Sequence, residues 1–221
     1  MMDLTQELEA AASDINATSL EAAKAAVTEG CEEYLRWAAL FSRRLDLIHH
    51  SEFHHFARAL ALIMLGNLPT KPSTCPFCIQ YGRDRSCQGC GYAQVHGRCD
   101  SDDSSFSLFI EAFSELGKVI YQDVQDLQFE PVNSRAIIKS WLDDSTKAAG
   151  KMLECIGSSS TISSSTISSS TISSSTISAC TFMERKAHYL DEMLSLIPMS
   201  IFSEEVAEKC RIVRKNLLDY W

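Results

Sequence analysis

The sequence predicts a mostly α-helical bundle, carrying one small inserted four-cysteine zinc-binding module and one low-complexity serine-rich linker. Three observations carry that prediction. Apolar residues recur at three- and four-residue intervals through most of the chain, alternating strand runs are missing outside the cysteine stretch, and five of nine cysteines fall between residues 75 and 99. A chain of 221 residues that is 45% hydrophobic and 22% charged has the composition of a globular protein with room for a real core.

Each element has a local reason. Thr18-Ser19-Leu20-Glu21 fits a capping box, in which a hydroxyl and a carboxylate satisfy the free amides of a helix start. The following residues, through Ile48, are rich in Ala, Glu, Leu and Arg and predict one long helix with Gly30 as its weak point. Phe53, Phe56, Ala57, Leu60, Ile63 and Met64 mark a second apolar face, which Gly66 and Asn67 end, with Pro69 beyond. Helical spacing resumes at Phe106, Phe109, Ile110, Phe113, Leu116 and Ile120, and again from Ala136 through Trp141 to Leu153 after the break at Pro131. Two shorter helices are expected over 181–197 and 203–219.

The resulting organisation is a helical segment over 1–70, the zinc-binding module over 71–103, a second helical segment over 104–157 packing on the first, a linker over 158–178 and a helical hairpin over 179–221. The linker contains SSSTI four times, from Ser158 to Ile177. A five-residue period aligns the isoleucines on one side of neither a helix nor a strand, so the repeat reads as low-complexity chain.

The cysteine stretch runs Cys75-x2-Cys78-x8-Cys87-x2-Cys90-x8-Cys99. Two C-x-x-C turns whose thiolates point inward at one ion form the minimal tetrahedral zinc site, with sulfurs at about 2.3 Å. Cys75, Cys78, Cys87 and Cys90 are the expected ligands, and Cys99 and His96 are close enough in sequence to replace one of them. Zinc is the expected metal, with mononuclear iron or an iron–sulfur cluster as the alternative cofactor, since both use the same sulfur cage. Four sulfurs leave no open position for a water, which argues for structure over hydrolysis.

Cys87-Gln88-Gly89-Cys90-Gly91-Tyr92 resembles the knuckle of zinc ribbons and rubredoxins, and Cys75-Pro76-Phe77-Cys78 resembles its partner, with Ile79 where the second glycine would stand. The resemblance covers about sixteen residues. It implies a bound metal, and a glycine at 91 that frees backbone amides to donate to sulfur.

Other chemistry finds little footing. His49, His50, His54 and His55 cluster in sequence, but Glu52-x-x-His55 has no second Glu-x-x-His to complete a di-iron site, so the cluster reads as solvated or at an interface. The His-x-Glu element of a zinc deaminase, a phosphate-binding glycine loop, a G-x-S-x-G elbow and an H-E-x-x-H helix are all missing. Cys31, Cys155, Cys180 and Cys210 are isolated and read as small apolar residues.

The net charge of −9 disfavours general attraction to nucleic acid, although Lys71, Arg83, Arg85 and Arg98 against Asp84 give residues 71–99 a local +3. The longest apolar run, Ala57–Leu65 with Arg58 inside it, is about half the length of a membrane helix. With an acidic start and no secretory pattern, the chain is expected in the cytoplasm, where clustered cysteines stay reduced. The function these features predict is a non-enzymatic, zinc-binding accessory or regulatory protein that recognises a protein partner. A nucleic-acid-binding factor using the four basic residues, and an iron-containing electron carrier, are the alternatives.

Overall fold

A computed structural model describes residues 4–82, 87–124, 131–157 and 177–220. Among these residues there are nine α-helices and no strand: α1 Leu4–Ser13, α2 Ala17–Leu45, α3 Phe53–Asn67, α4 Pro76–Tyr81, α5 Gly91–His96, α6 Ser105–Gln122, α7 Pro131–Gly157, α8 Ala179–Ser195 and α9 Glu204–Tyr220. The mostly α architecture expected from periodicity is the one observed. Apart from Ile177, the SSSTI repeats lie outside the described residues.

The local signals act with small displacements. Helix α2 begins one residue before Thr18, and its cap is Asn16, whose side chain accepts from the Ser19 amide; the expected capping box is not the device used. Gly30 does not interrupt α2. It lets the helix approach the end of α3, where a Cβ at position 30 would lie 2.8 Å from the Asn67 carbonyl oxygen. Pro131 is the first residue of α7, a position where its missing amide and fixed φ cost nothing. Ser104 and Ser178 cap α6 and α8 by accepting from Ser107 and Thr181 amides.

Two antiparallel pairs organise the packing. Helix α2 lies along α7, joined by Tyr34, whose hydroxyl donates to Ser145 Oγ at 2.6 Å, while Ser145 donates to the Trp141 carbonyl at 2.6 Å. Farther along the same seam Arg135 donates to the Ile48 carbonyl. Helix α6 lies along α9, with Asn216 donating to the Leu108 carbonyl. Helix α8 runs antiparallel to both α7 and α9, the latter through a two-pronged Arg214–Asp191 pair at 2.7 and 3.1 Å. Phe53, Leu60, Met64, Leu116, Ile120, Ile138, Leu142, Phe182 and Met193 fill the shared core.

The polar core contains one surprise. His55 and Glu52 are exposed as their helical position predicts, but His54 is buried between α3 and the end of α6. Its Nε2 lies 3.1 Å from the Asp123 carbonyl and 3.5 Å from the Asp123 carboxylate, and Arg58 donates to the same carbonyl at 2.8 Å. The histidine cluster therefore splits: His49, His50 and His55 face solvent and His54 does not.

Candidate functional site

The cysteine stretch folds as two short helices, α4 and α5, instead of a pair of metal-holding turns. Cys75 is the residue before α4, with extended backbone (φ −116°, ψ 116°), and Cys78 lies in the helix three residues on. Cys90 occupies the same place before α5. Cys87, at φ 50°, and Gly89, at φ 76°, close the turn between them, in which the Cys90 amide donates to the Cys87 carbonyl. Cys99 lies half-buried in the loop before α6, its carbonyl accepting from Ser104 and Ser107.

This arrangement overturns the zinc-knuckle resemblance. Among the described residues no three or more His, Cys, Asp or Glu side chains form a group that could hold a metal ion. All nine cysteines are free thiols. Cys75, Cys78, Cys87 and Cys90, with Cys99 and His96 as the proposed substitutes, do not form a four-cysteine module. Cys75, Cys78 and Cys99 line one small cavity with Lys186 of α8, and Cys90 heads α5, the helix that packs on α1. His96 stacks on Tyr92 at 4.6 Å between ring centroids, with its Nε2 buried and unpartnered. Burial holds its pKa below the ordinary imidazole value.

Gly91 has a role different from the one the resemblance implied. It sits where α5 meets α1, and a Cβ there would come within 2.9 Å of Ala11 Cα and closer still to its Cβ. The glycine is required by the contact between the two helices.

The residue missed by sequence reasoning is Lys186. It is only 5% exposed, and its Nζ donates to the Thr74 carbonyl at 3.2 Å. The titratable groups acting on it are Cys75, Cys78 and Cys99, while burial pushes its pKa down. On the other side, the Cys78 side chain, the nearby lysine and the local backbone amides outweigh burial and pull the Cys75 pKa down. The Cys78 thiol is pushed up, first by Cys75 and then by burial. Burial and the other thiols raise Cys99 to about 12. Cys90 and Cys87 are among the thiols that act on Cys99.

Burying an ammonium without a counter-charge costs several kcal/mol, which is the cause of the lowered Lys186 pKa. A helical pattern shows only that position 186 lies on the inward face with Phe182, Tyr189 and Met193; nothing in the local sequence announces that thiols await it.

Two of the isolated cysteines, Cys31 and Cys210, are chemically quiet. Burial raises Cys31 and Cys210 to about 11, which keeps them protonated. Cys155 accepts from Arg185 at 2.6 Å and Cys180 faces Glu184. Of the basic residues proposed for nucleic acid, Arg83 and Arg85 lie outside the described residues, Lys71 is exposed, and Arg98 donates to the Asp100 carboxylate at 2.9 and 2.7 Å. No helix among the described residues is long and apolar enough to cross a membrane.

The fold defines a mostly α helical bundle. Comparison with known proteins adds no relative: no family description, curated protein or solved structure matches the chain.

Proposed function

We propose that this is a non-enzymatic accessory or regulatory protein that acts in the cytoplasm by recognising another protein. The observation that supports this most is the α6/α9 pair, on which Leu108, Ile212 and Leu218 are 45%, 37% and 71% exposed. A single exposed leucine is ordinary, but three exposed apolar side chains on one helix pair offer a partner area to bury. The Asn216 bond to the Leu108 backbone holds the two helices together there, so the surface is presented on a rigid support. The acidic balance of the chain and the Arg98–Asp100 pairing favour a protein over a nucleic acid as the partner.

The test is quantitative capture of partners from cytosol with the wild type and with Leu108→Asp/Leu218→Asp. A stoichiometric protein retained by the first and lost from the second, at equal helix content, supports the reading. An unchanged set of bound proteins refutes it.

A further inference from the structure

The α6/α9 pair carries a second feature at the end away from Leu108 and Leu218. Where α6 stops and α9 starts, Val119, Gln122, Asp123, Val124, Ser203 and Glu205 line a cleft of about 250 Å³. A water molecule takes about 30 Å³ of liquid, so the cleft has room for one long side chain.

Asp123 sets the chemistry of this cleft. Its side chain is 3% exposed, and its Oδ2 is buried without a hydrogen-bond partner. The groups that reach Asp123 from α3 bond its backbone: Arg58 donates to the carbonyl at 2.8 Å, and His54 Nε2 lies 3.1 Å from that carbonyl and 3.5 Å from Oδ2. A buried carboxylate oxygen with no donor is destabilising, and a cation that brings donors to it relieves the strain. Buried acceptors are rarely left in this state without a cause.

The surroundings favour a positive occupant. Glu205, exposed on the first turn of α9, adds a second carboxylate to the wall, so two negative charges stand against the guanidinium of Arg58. Helix α6 ends at Gln122, and the last carbonyls of a helix carry partial negative charge. Lys118 of α6 is paired with Glu115, and Arg211 of α9 with Glu204 and Glu208. Val119 and the exposed Val124 offer apolar wall to the methylene stem of a long side chain.

We propose that this cleft docks an arginine side chain of a protein partner, with Asp123 and Glu205 as the residues that select it. A guanidinium is planar, weakly hydrated and rich in donors, which suits a carboxylate and helix carbonyls lying side by side. A lysine ammonium is more strongly hydrated and loses more on entering. The net charge of −9 draws a basic segment toward the chain before it docks. The inference deepens the recognition reading by naming the partner's chemistry, and rests on it only for the partner being a protein.

The experiment titrates the isotope-labelled full-length chain with the peptide acetyl-Ala-Arg-Ala-amide and follows backbone amide shifts by nuclear magnetic resonance. Saturable shifts should centre on Val119, Gln122, Asp123, Val124, Ser203 and Glu205. The same peptide with citrulline, a neutral isostere of arginine, should leave them unmoved, and the lysine peptide should bind several-fold more weakly. Asp123→Asn keeps the backbone carbonyl that holds His54 and Arg58, and should weaken binding about tenfold, the loss of one charge-assisted hydrogen bond. Glu205→Gln, at an exposed position, should weaken it several-fold, with a larger effect at low salt than at high salt.

Leu108→Asp/Leu218→Asp should bind the peptide as the wild type does, so failure of the apolar surface and failure of the cleft are read separately. Circular dichroism of each variant reports any loss of fold. Equal binding of the citrulline or lysine peptide would overturn the proposal. So would shifts that never saturate, or unchanged affinity in either folded variant of the two carboxylates.

Discussion

Replacing Gly91 by alanine distinguishes helix packing from a metal knuckle more sharply than any other single change. The new methyl would stand 2.9 Å from Ala11 Cα and nearer still to Ala11 Cβ, and both atoms belong to a helix with no flexible end to swing away. Restoring ordinary carbon contacts requires α1 to withdraw from α5 by about 1.5 Å, and overpacking of this kind costs about 1–3 kcal/mol. Urea unfolding followed by far-ultraviolet dichroism should show a lowered midpoint with an unchanged slope. Hydrogen exchange should accelerate first over Leu4–Ser13. Ala11→Gly alone should cost about 0.5–1 kcal/mol through the flexibility of glycine in a helix. The two changes together should cost less than their sum, because Ala11→Gly removes the atom that Gly91→Ala strikes. Strict additivity, or no loss from Gly91→Ala, would refute the packing argument.

Two further outcomes follow from the buried polar groups. Ser145→Ala leaves the Tyr34 hydroxyl buried without an acceptor and should cost about 1–3 kcal/mol, whereas Tyr34→Phe leaves Ser145 bonded to Trp141 and should cost about 1 kcal/mol. A double-mutant cycle by urea unfolding should show the double variant less destabilised than the sum, and an additive cycle would contradict the hydrogen bond. His54 is held below its ordinary pKa of 6.5, mainly by burial; Asp123 opposes that shift, while His55 and Arg58 reinforce it. The unfolded chain therefore takes up the proton first, so its contribution to stability is complete above about pH 6.5 and falls as the pH drops below it. His54→Gln should flatten the pH dependence of the urea midpoint between about pH 7 and pH 5, and an unaltered slope would remove His54 as its source.

Helix existence was legible from local chemistry. The apolar residues of α3 and α6 repeat with the period of one helical face, and any chain that buries that face must coil as a helix over those residues. Helix starts were less legible, because Asn16 and Thr18 both carry capping oxygen atoms within two residues, and the packing of α2 decides which one is used. Spacing alone misled at the cysteines. The C-x-x-C pattern is compatible with a metal-facing turn and with the first turn of a helix, and the two differ only in what packs around them.

The sequence by itself determined the helical class, the acidic balance, the clustering of five thiols in one short stretch and the isolation of the other four. The tertiary structure alone decided which groups meet. Lys186 reaches the Thr74 carbonyl across 112 residues of chain, Tyr34 reaches Ser145 across 111, and Gly91 meets α1 from the far side of α2 in sequence. Periodicity records which face of a helix is apolar, but a buried ammonium, a thiol and a missing methyl acquire their meaning from distant partners. Those partners are selected by the whole core closing at once, since each buried charge or donor must be matched by whatever group the packing brings to it.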